Sequence, residues 1–383
     1  MTETTDTEKL LFTQTEITGQ PDLWKNVYSL LRSREDEIAS FLHPIFRKKG
    51  LQILLTGAGS SAFVGEAAQG LVQINTGCST RAVATTDLVT HPELYFRPEA
   101  PSLLVSFARS GNSPESVESI RLADAFCEEV YHLVITCNRE GELHRYASSN
   151  KANSFSILLP EAANDKSLAM TGSFTSMLLS ILLAGRLDSL STKEDEITRI
   201  TEQAAAILQE KDSFKKIAAL DLERVVFLGS GPLLGIAREC HLKLQELTDG
   251  KVVCKHDSFL GFRHGPRAVV NDKTLMVYLF SENDFVYKYE KDLALSIAKD
   301  PRKIPVVSIG KKKLSELEPL LNIDLEFSPT QELNSVPVTL AGQLLGFYKS
   351  LELGLNPDNP SVSGSISRVV QGVNIYEHPK KKK

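Results

Sequence analysis

Short apolar runs alternate with longer stretches of helical periodicity along this chain of 383 residues. The runs are rich in valine, isoleucine and leucine, and strands that alternate with helices are typical of a parallel β-sheet. We therefore predict an α/β fold. The six predicted strands cover residues 51–56, 103–107 and 132–136 in the first half and 224–228, 275–279 and 305–308 in the second.

The predicted strands repeat along the chain. Three pairs of equivalent positions are each 172 residues apart: Gly57 and Gly229, Val105 and Val277, Val134 and Val306. One offset shared by three strands indicates two copies of one domain. We expect each copy to be a doubly wound parallel sheet that binds ligands at the carboxyl ends of its strands.

Helical patterns precede and join the two halves. Residues 17–42 are predicted to be mostly helical, with Pro21 at a helix start, and residues 193–210 carry isoleucines on one face. We expect an N-terminal helical segment at residues 1–45, a first domain at 46–200 and a second domain with a C-terminal tail at 201–383.

Composition narrows the classes of function. With 42% hydrophobic and 24% charged residues the chain is typical of soluble globular proteins, and its net charge of −5 gives no reason to expect nucleic acid or a membrane as a partner. The five cysteines are scattered without a CxxC pair, and the first residues are polar. We expect a cytoplasmic protein with no metal, no cofactor and no role for its terminal lysine run.

A serine-rich turn follows the predicted strand that ends at residue 107. Ser110 and Ser113 offer hydroxyls, Gly111 lets the backbone approach a ligand, and Pro114 suits the first turn of a helix. A helix N-terminus attracts anions, so this turn predicts a phosphate site. The same residues are also suited to capping the helix.

The second half departs from the first at this turn. The positions of Ser110 and Asn112 correspond to Glu282 and Asp284, whose carboxylates would repel a phosphate. We therefore predict that the first half holds the anion and the second half supplies other chemistry.

A glycine turn after the first strand is the second candidate site. It runs G-A-G-S-S-A from residue 57, and Ala62 stands where a dinucleotide fingerprint needs glycine. Ser60 and Ser61 at the helix start suit a monophosphate instead.

Together these turns resemble the sugar isomerase (SIS) domain family, whose two turns have the forms G-x-G-[ST]-S and S-x-[ST]-G-x-[ST]. The E-I-x-x-Q-P sequence from Glu16 is similar to the entry into the isomerase half of glucosamine-6-phosphate synthase. The sequences N-P-D-N-P at 356–360 and R-V-V-Q-G-V at 368–373 resemble the tagatose-6-phosphate ketose/aldose isomerase group, regarded as galactosamine-6-phosphate deaminase/isomerases. The resemblance implies two tandem flavodoxin-like SIS domains.

The resemblance also implies which residues bind the sugar 6-phosphate. They are Ser60, Ser61, Ser110 and Ser113. Arg109 stands where the synthase has glutamine; it could hold phosphate through two hydrogen bonds or be an exposed arginine at the end of a strand.

Lys243 and Glu246 lie three residues apart on a predicted helix and taken alone would be a surface ion pair. The segment L-K-L-Q-E-L resembles the synthase's L-K-L-K-E-I, which implies that Glu246 moves the proton between C1 and C2. Lys243 could stabilise developing oxyanion charge or hold the carboxylate in place. Glu239 is expected to support the helix.

His264 matches the family's H-G-P sequence, and the resemblance assigns its imidazole to sugar-ring opening. In the synthase this histidine reaches the neighbouring subunit, so a homodimer or a larger homo-oligomer is implied.

Two further pairs of residues are weaker candidates for sugar contacts. Thr171 and Ser173 resemble a segment that lies along the sugar in the synthase, although they could equally cap a helix. Either Arg368 or Gln371 could replace a lysine that the synthase uses near its C-terminus.

The resemblance implies an enzyme that converts galactosamine 6-phosphate into tagatose 6-phosphate and ammonia. Plain aldose–ketose isomerisation of tagatose 6-phosphate and deamination of glucosamine 6-phosphate remain alternatives, because residue spacing does not identify the group at C2. A more distant alternative is a sugar-phosphate sensor, a role that SIS domains also have in transcriptional regulators. The expected partner in every case is an amino-sugar or hexose 6-phosphate.

Overall fold

A computed structural model of the protein describes residues 11–310, 316–326, 332–370 and 372–379. Three helices come first and lie at α1 Phe12–Thr18, α2 Gln20–Ser33 and α3 Glu35–Phe46. The predicted helix at residues 17–42 is thus divided, with breaks at Gly19 and Arg34.

The first sheet unit follows. Its elements are β1 Gln52–Thr56, α4 Ser60–Thr76, β2 Ser79–Ala82, α5 Thr85–Thr90, β3 Ser102–Ala108, α6 Pro114–Phe126, β4 Val130–Thr136, α7 Glu142–Ser149, β5 Ser154–Leu158 and α8 Gly172–Ala184. The strand order is β2-β1-β3-β4-β5, and all neighbouring strands are parallel.

The second unit has the same plan. Its elements are α9 Glu194–Gln209, α10 Lys211–Ala218, β6 Arg224–Leu228, α11 Pro232–Leu247, β7 Val253–Asp257, α12 Phe259–Phe262, β8 Thr274–Leu279, α13 Asp284–Ala298, β9 Val306–Gly310, β10 Leu321–Asp324 and α14 Ser335–Glu352. The parallel strands run in the order β10-β9-β8-β6-β7. The predicted fold of two tandem flavodoxin-like sheets is confirmed.

The six predicted strands are the three central strands of each sheet. The four strands that the pattern missed, β2, β5, β7 and β10, are the edge strands. Central strands are buried on both faces and therefore form continuous apolar runs, whereas the edge strands are partly exposed and mix polar with apolar residues.

Strand register confirms two of the three repeat positions and corrects the third. Leu55 pairs with Val105 and Phe227 pairs with Val277, so these strands keep the offset of 172 residues. Val105 lies opposite Leu133, however, while Val277 lies opposite Val307. The second copy therefore has two more residues between these strands, and Val306 is not the structural equivalent of Val134.

The two units are joined through helices. α11 packs against α4 of the first unit and against α14, and α14 in turn contacts α8, α9 and α10. The predicted joining helix is α9, so the predicted boundary between residues 200 and 201 falls inside it. The domain boundaries themselves stay predictions.

Small residues permit the close contact between α4 and α11. A Cβ atom added to Gly235 of α11 would lie 2.4 Å from the backbone nitrogen of Ala67 on α4. One more link between the helices is the ion pair of Arg238 with Glu66. The contact thus depends on a glycine at position 235.

We predict that Gly235→Ala destabilises the protein by at least about 1–3 kcal/mol, because the two helices must move apart to admit the methyl group. The matched control is Gly70→Ala on α4, where an added Cβ meets nothing within 4 Å. It should stabilise the protein by about 0.4–1 kcal/mol. Urea unfolding of both variants measures the difference, and equal effects would contradict the packing argument.

Candidate active site

The two candidate phosphate turns lie side by side. Thr56 at the end of β1 pairs with Ser106 near the end of β3, so the loops that follow these strands leave the same edge of the sheet. Ser60 and Ser61 begin α4, and Ser113 is the residue before α6. Parallel strands thus bring the two serine-rich turns together at the carboxyl edge, where doubly wound sheets bind ligands.

Neighbouring backbone fixes the second turn. Gly111 has a φ of +67°. The residues on either side of it bond to the segment after β4: Asn138 Nδ2 donates to the Ser110 carbonyl at 2.7 Å, and the Glu142 amide donates to Asn112 Oδ1 at 2.9 Å. The Ser113 hydroxyl donates to Ser116 Oγ at 2.6 Å and caps no helix amide. This hydroxyl therefore does not act as the helix cap that the sequence also allowed.

The equivalent turn of the second unit is arranged differently. The Ser281 amide donates to Glu290 Oε2 at 2.8 Å, and the Glu290 side chain is fully buried. Asn283 caps α13 by accepting from Phe285 and Val286. A carboxyl group of the protein thus lies at the position where the first unit has its serine turn, and it accepts from the Ser281 amide that a bound anion would need there.

Four polar side chains join the two units beside the first turn. Lys243 Nζ lies 2.6 Å from Glu246 Oε2 and 3.5 Å from Glu239 Oε1, and the Ser60 hydroxyl donates to Glu239 Oε1 at 3.2 Å. Glu239, Lys243 and Glu246 share one face of α11, being three or four residues apart. The sequence predicted the Lys243–Glu246 pair but expected Glu239 only to support the helix.

The protonation states of this cluster follow from burial. Glu239 is fully buried and burial raises its pKa to about 8. Burial alone would lower the pKa of Lys243, but the carboxylates of Glu239 and Glu246 outweigh it and raise that pKa. At neutral pH these environments therefore favour a neutral Glu239 and a charged Lys243. Glu246, the third member of the cluster, is partly exposed.

Arg109 is held by the backbone of a neighbouring loop. Its guanidinium donates to the carbonyls of Ser167 at 3.1 Å and Leu168 at 3.0 Å, and to the Arg368 carbonyl at 2.8 Å. The alternative of an exposed arginine is wrong, because only 6% of Arg109 is exposed. Its contact with phosphate stays a prediction.

Asp165 organises the segment that contains Thr171 and Ser173. Its buried carboxylate accepts from the amides of Thr171, Gly172 and Ser173, at the N-terminus of α8. The hydroxyls of Thr171 and Ser173 also donate to Asp165. Neither hydroxyl caps α8 itself, and their contact with the sugar stays a prediction. The only signal of this role in the sequence is an acidic residue shortly before a helix.

Residues from both ends of the chain tie the same loop down. Glu16 accepts from the Lys166 amide at 2.5 Å, and the Asp358 carbonyl accepts from the Leu168 amide at 2.9 Å. Arg368 donates through Nε to the Asp165 carbonyl at 2.9 Å. Three sequence features noted for their resemblance thus converge on the loop at residues 165–170.

The remaining candidates have few side-chain contacts or lie outside the described residues. The Ser61 hydroxyl lies 3.8 Å from Met170 Sδ. His264 is exposed on the loop after α12, and within the described ranges its side chain forms no hydrogen bond or ion pair. Gln371 lies outside the described residues. The roles of Ser61, His264, Arg368 and Gln371 in binding or catalysis stay predictions.

The described part of the chain offers neither a membrane span nor a metal site. No helix in the described part of the chain is both long and apolar enough to cross a membrane. Among the same residues, no group of three or more His, Cys, Asp and Glu side chains could hold a metal ion.

Comparisons with known proteins agree with this geometry. Residues 45–185 match the SIS domain model. A protein named D-galactosamine-6-phosphate deaminase AgaS from Shewanella sp. (strain ANA-3) is 38% identical over 369 residues, which cover 95% of this chain and 92% of that relative.

Two crystal structures are similar along nearly their whole length. One is described as a candidate tagatose-6-phosphate ketose/aldose isomerase from Clostridium novyi NT, with a TM-score of 0.90, 38% identity, and coverage of 96% of this chain and 95% of that one. The other is tagatose-6-phosphate ketose/aldose isomerase from Escherichia coli, with a TM-score of 0.87, 36% identity, and coverage of 98% and 99%. The chain therefore belongs to the SIS domain family and, within it, to the group that contains the AgaS deaminases.

Proposed function

We propose that this protein is an enzyme that converts galactosamine 6-phosphate and water into tagatose 6-phosphate and ammonia. The observation that carries the proposal is the buried Glu239–Lys243–Glu246 cluster, which Ser60 joins to the serine turns of the first unit. In this proposal the serine turns bind the phosphate, the cluster moves protons, and the hydrogen bond of Ser60 to Glu239 connects them. The full-length similarity to named deaminases supports the choice of substrate.

In this proposal the first unit anchors the substrate by its 6-phosphate. Ser60, Ser61, Ser110 and Ser113 line the two turns, and the N-terminus of α6 favours a negative charge in front of it. Arg109 adds positive charge behind the second turn while its hydrogen bonds hold the loop at residues 167–169.

Glu246 then acts on the other end of the open-chain sugar. Its carboxylate removes the proton from C2 of the aldehyde form, which gives an enolamine, and returns a proton to C1. The product is a ketimine at C2, and addition of water to this carbon releases ammonia and leaves the ketone of tagatose 6-phosphate. Glu246 is the cluster's most exposed carboxylate, with 24% of its side chain accessible, so a substrate can reach it.

Lys243 supports this proton transfer electrostatically. The ammonium group contacts Glu246 at 2.6 Å and also lies beside Glu239, which burial keeps protonated to a higher pH than usual by raising its pKa to about 8. With Glu239 neutral, the charge of Lys243 is directed to Glu246 and to the oxygen at C1 as negative charge develops there.

We further propose that the enzyme is a cytoplasmic homodimer in which His264 opens the sugar ring in the partner's site. The loop that carries His264 is exposed, and exposed apolar side chains lie on the two helices packed beside it, namely Leu260 on α12 and Phe285 and Tyr289 on α13. Such a patch is suited to burial against a second copy.

A second candidate function uses the same residues. If C2 carries oxygen instead of nitrogen, the steps at Glu246 give an aldose–ketose isomerisation without ammonia. The names of the two similar crystal structures favour this alternative.

A substrate panel separates the candidates. Galactosamine 6-phosphate, glucosamine 6-phosphate, galactose 6-phosphate and tagatose 6-phosphate are offered to the purified protein, and ammonia and ketose are measured separately. We expect equal amounts of ammonia and ketose from galactosamine 6-phosphate. Ketose without ammonia, or turnover of galactose 6-phosphate alone, would replace deamination by isomerisation.

Replacement of the base tests the assignment of Glu246. Glu246→Gln should lower kcat by about 10²–10⁴-fold, the range that general acid–base catalysis contributes, because an amide cannot accept the C2 proton. Binding of sorbitol 6-phosphate, an open-chain analogue that cannot react, should change by less than about threefold. Glu202→Gln on the exposed face of α9 is the matched control and should leave both unchanged. Full turnover by Glu246→Gln would assign the base to another residue.

The raised pKa of Glu239 predicts a specific pH dependence of stability. The folded protein keeps the proton of Glu239 up to about pH 8, whereas the unfolded chain loses it near its ordinary pKa of 4.5. Between these values the folded state binds more protons, so stability falls as pH rises. Glu239→Gln removes this loss.

Urea unfolding of the wild type and Glu239→Gln at pH 5, 6, 7 and 8 measures the effect. The free energy of unfolding of Glu239→Gln, relative to that of the wild type, should increase by up to about 1.4 kcal/mol for each unit by which pH rises. Parallel stability curves would mean that Glu239 ionises with an ordinary pKa.

A further inference from the structure

A cavity of the first sheet unit shares no lining residue with the serine turns or with the Glu246 cluster. It has a volume of about 830 Å³ and is bounded by α3, α7 and the strands β4 and β5. The proposed reaction uses none of its lining residues. Its size is within the range of small-molecule sites, which is about 300–1,000 Å³.

Two cations are held over aromatic rings inside this groove. The Arg34 guanidinium lies 4.9 Å from the centre of the Phe155 ring, and Lys48 Nζ lies 5.5 Å from the centre of the Tyr131 ring. Leu133 pairs with Phe155, and Tyr131 precedes Leu133 by two residues. Both rings therefore project from the same face of the sheet on neighbouring strands. The cations that lie over them, Arg34 and Lys48, are thus on the same face.

Each of these two cations has one carboxylate partner. Arg34 lies 3.0 Å from Glu37, and Lys48 lies 2.7 Å from Glu129. Arg34 also donates to the Ser156 carbonyl at 3.2 Å. These contacts fix the positions of the two cations before any ligand arrives, which lowers the entropy cost of binding.

Two more cations lie at the rim. Arg139 and Lys151 are exposed, and within the described ranges neither forms a hydrogen bond or ion pair. Glu37 is the one carboxylate among the lining residues, although the whole chain has a net charge of −5. Burial above all, together with the charges of Arg139 and Arg34, lowers the pKa of His144 in the same groove, while the charge of Glu140 opposes this shift.

We propose that this groove binds a small metabolite that carries at least two phosphate groups. The four cations present complementary charge: Arg34 and Lys48 are partly exposed and held by carboxylate partners, and Arg139 and Lys151 are exposed. Arginine and lysine together suit phosphate, since the first offers paired donors and the second a compact charge. A single phosphate would engage only part of this set.

The groove adjoins the phosphate turn of the active site. Arg139 follows Asn138, which donates to the Ser110 carbonyl, and α7 begins at Glu142, whose amide donates to Asn112. A ligand that binds Arg139 therefore contacts the segment that fixes the sugar-phosphate turn. By linkage, its binding and that of a sugar phosphate should affect each other equally.

The test is isothermal titration of the full-length protein with inorganic pyrophosphate, with ATP and with fructose 1,6-bisphosphate. Each titration is done with and without saturating sorbitol 6-phosphate, which occupies the active site. The variant Arg139→Glu with Lys151→Glu should weaken binding of the bisphosphates by at least about tenfold, because two attractive charges become repulsive. The matched control, Arg145→Glu with Lys211→Glu, changes the net charge equally at exposed positions outside the groove and should bind as the wild type does.

Several results would overturn the proposal. The first is that none of the three ligands binds to the wild type when sorbitol 6-phosphate is present. Any binding seen without sorbitol 6-phosphate would then be binding at the active site. Equal weakening by both double variants would show a general charge effect. A third contrary result combines two measurements: the wild type gives no heat of binding, and analytical ultracentrifugation shows that Arg139→Glu with Lys151→Glu dissociates an oligomer. This result would assign the groove to a second copy of the chain. The relative affinities for the three ligands identify the class of metabolite.

Discussion

The contact between α4 and α11 is the constraint on which the active site depends. Gly235 lets the backbones of the two helices approach so closely that a methyl group finds no room beside Ala67. Because α4 begins at a serine turn of the first unit, the same contact brings Ser60 within 3.2 Å of Glu239 on α11. The ionisable cluster of one unit is thereby fixed beside the serine turns of the other. A site made from two copies of one domain thus requires this spacing between helices.

Buried charges hold the irregular backbone around the site. The loop at residues 165–170 belongs to no helix or strand, so its buried amides and carbonyls need partners outside regular structure. Arg109 supplies donors to its carbonyls, Glu16 accepts from its amides, and Asp165 accepts from the first amides of α8. These residues support the site from behind. Their charged groups form their hydrogen bonds with the protein itself. The serine turns lie at the sheet edge.

The two units share one plan but differ at the residues for which we propose binding and catalysis. The two sheets have the same strand order, but the turn equivalent to Ser110 receives the buried carboxylate of Glu290 in the second unit. The Glu290 side chain thus takes up the Ser281 amide, which is then not free to bind a phosphate. The second unit in turn carries the ionisable cluster on α11, at the position where α4 of the first unit has mostly small and apolar residues.

The sequence by itself determined the central strands, the duplication and the types of residue at the site. Strands buried on both faces require continuous apolar runs, and a turn requires glycine or serine at its own positions. Both features can therefore be recognised in the sequence before the fold is known. Only the tertiary structure decided the rest. It revealed four edge strands, the two-residue shift at Val307, the contact of Glu239 with Ser60, and the burial of Arg109 against carbonyls. Each depends on partners far away in the chain. Edge burial, hydrogen-bond partners and pKa values are properties of the packed environment, and no local pattern of residues encodes that environment.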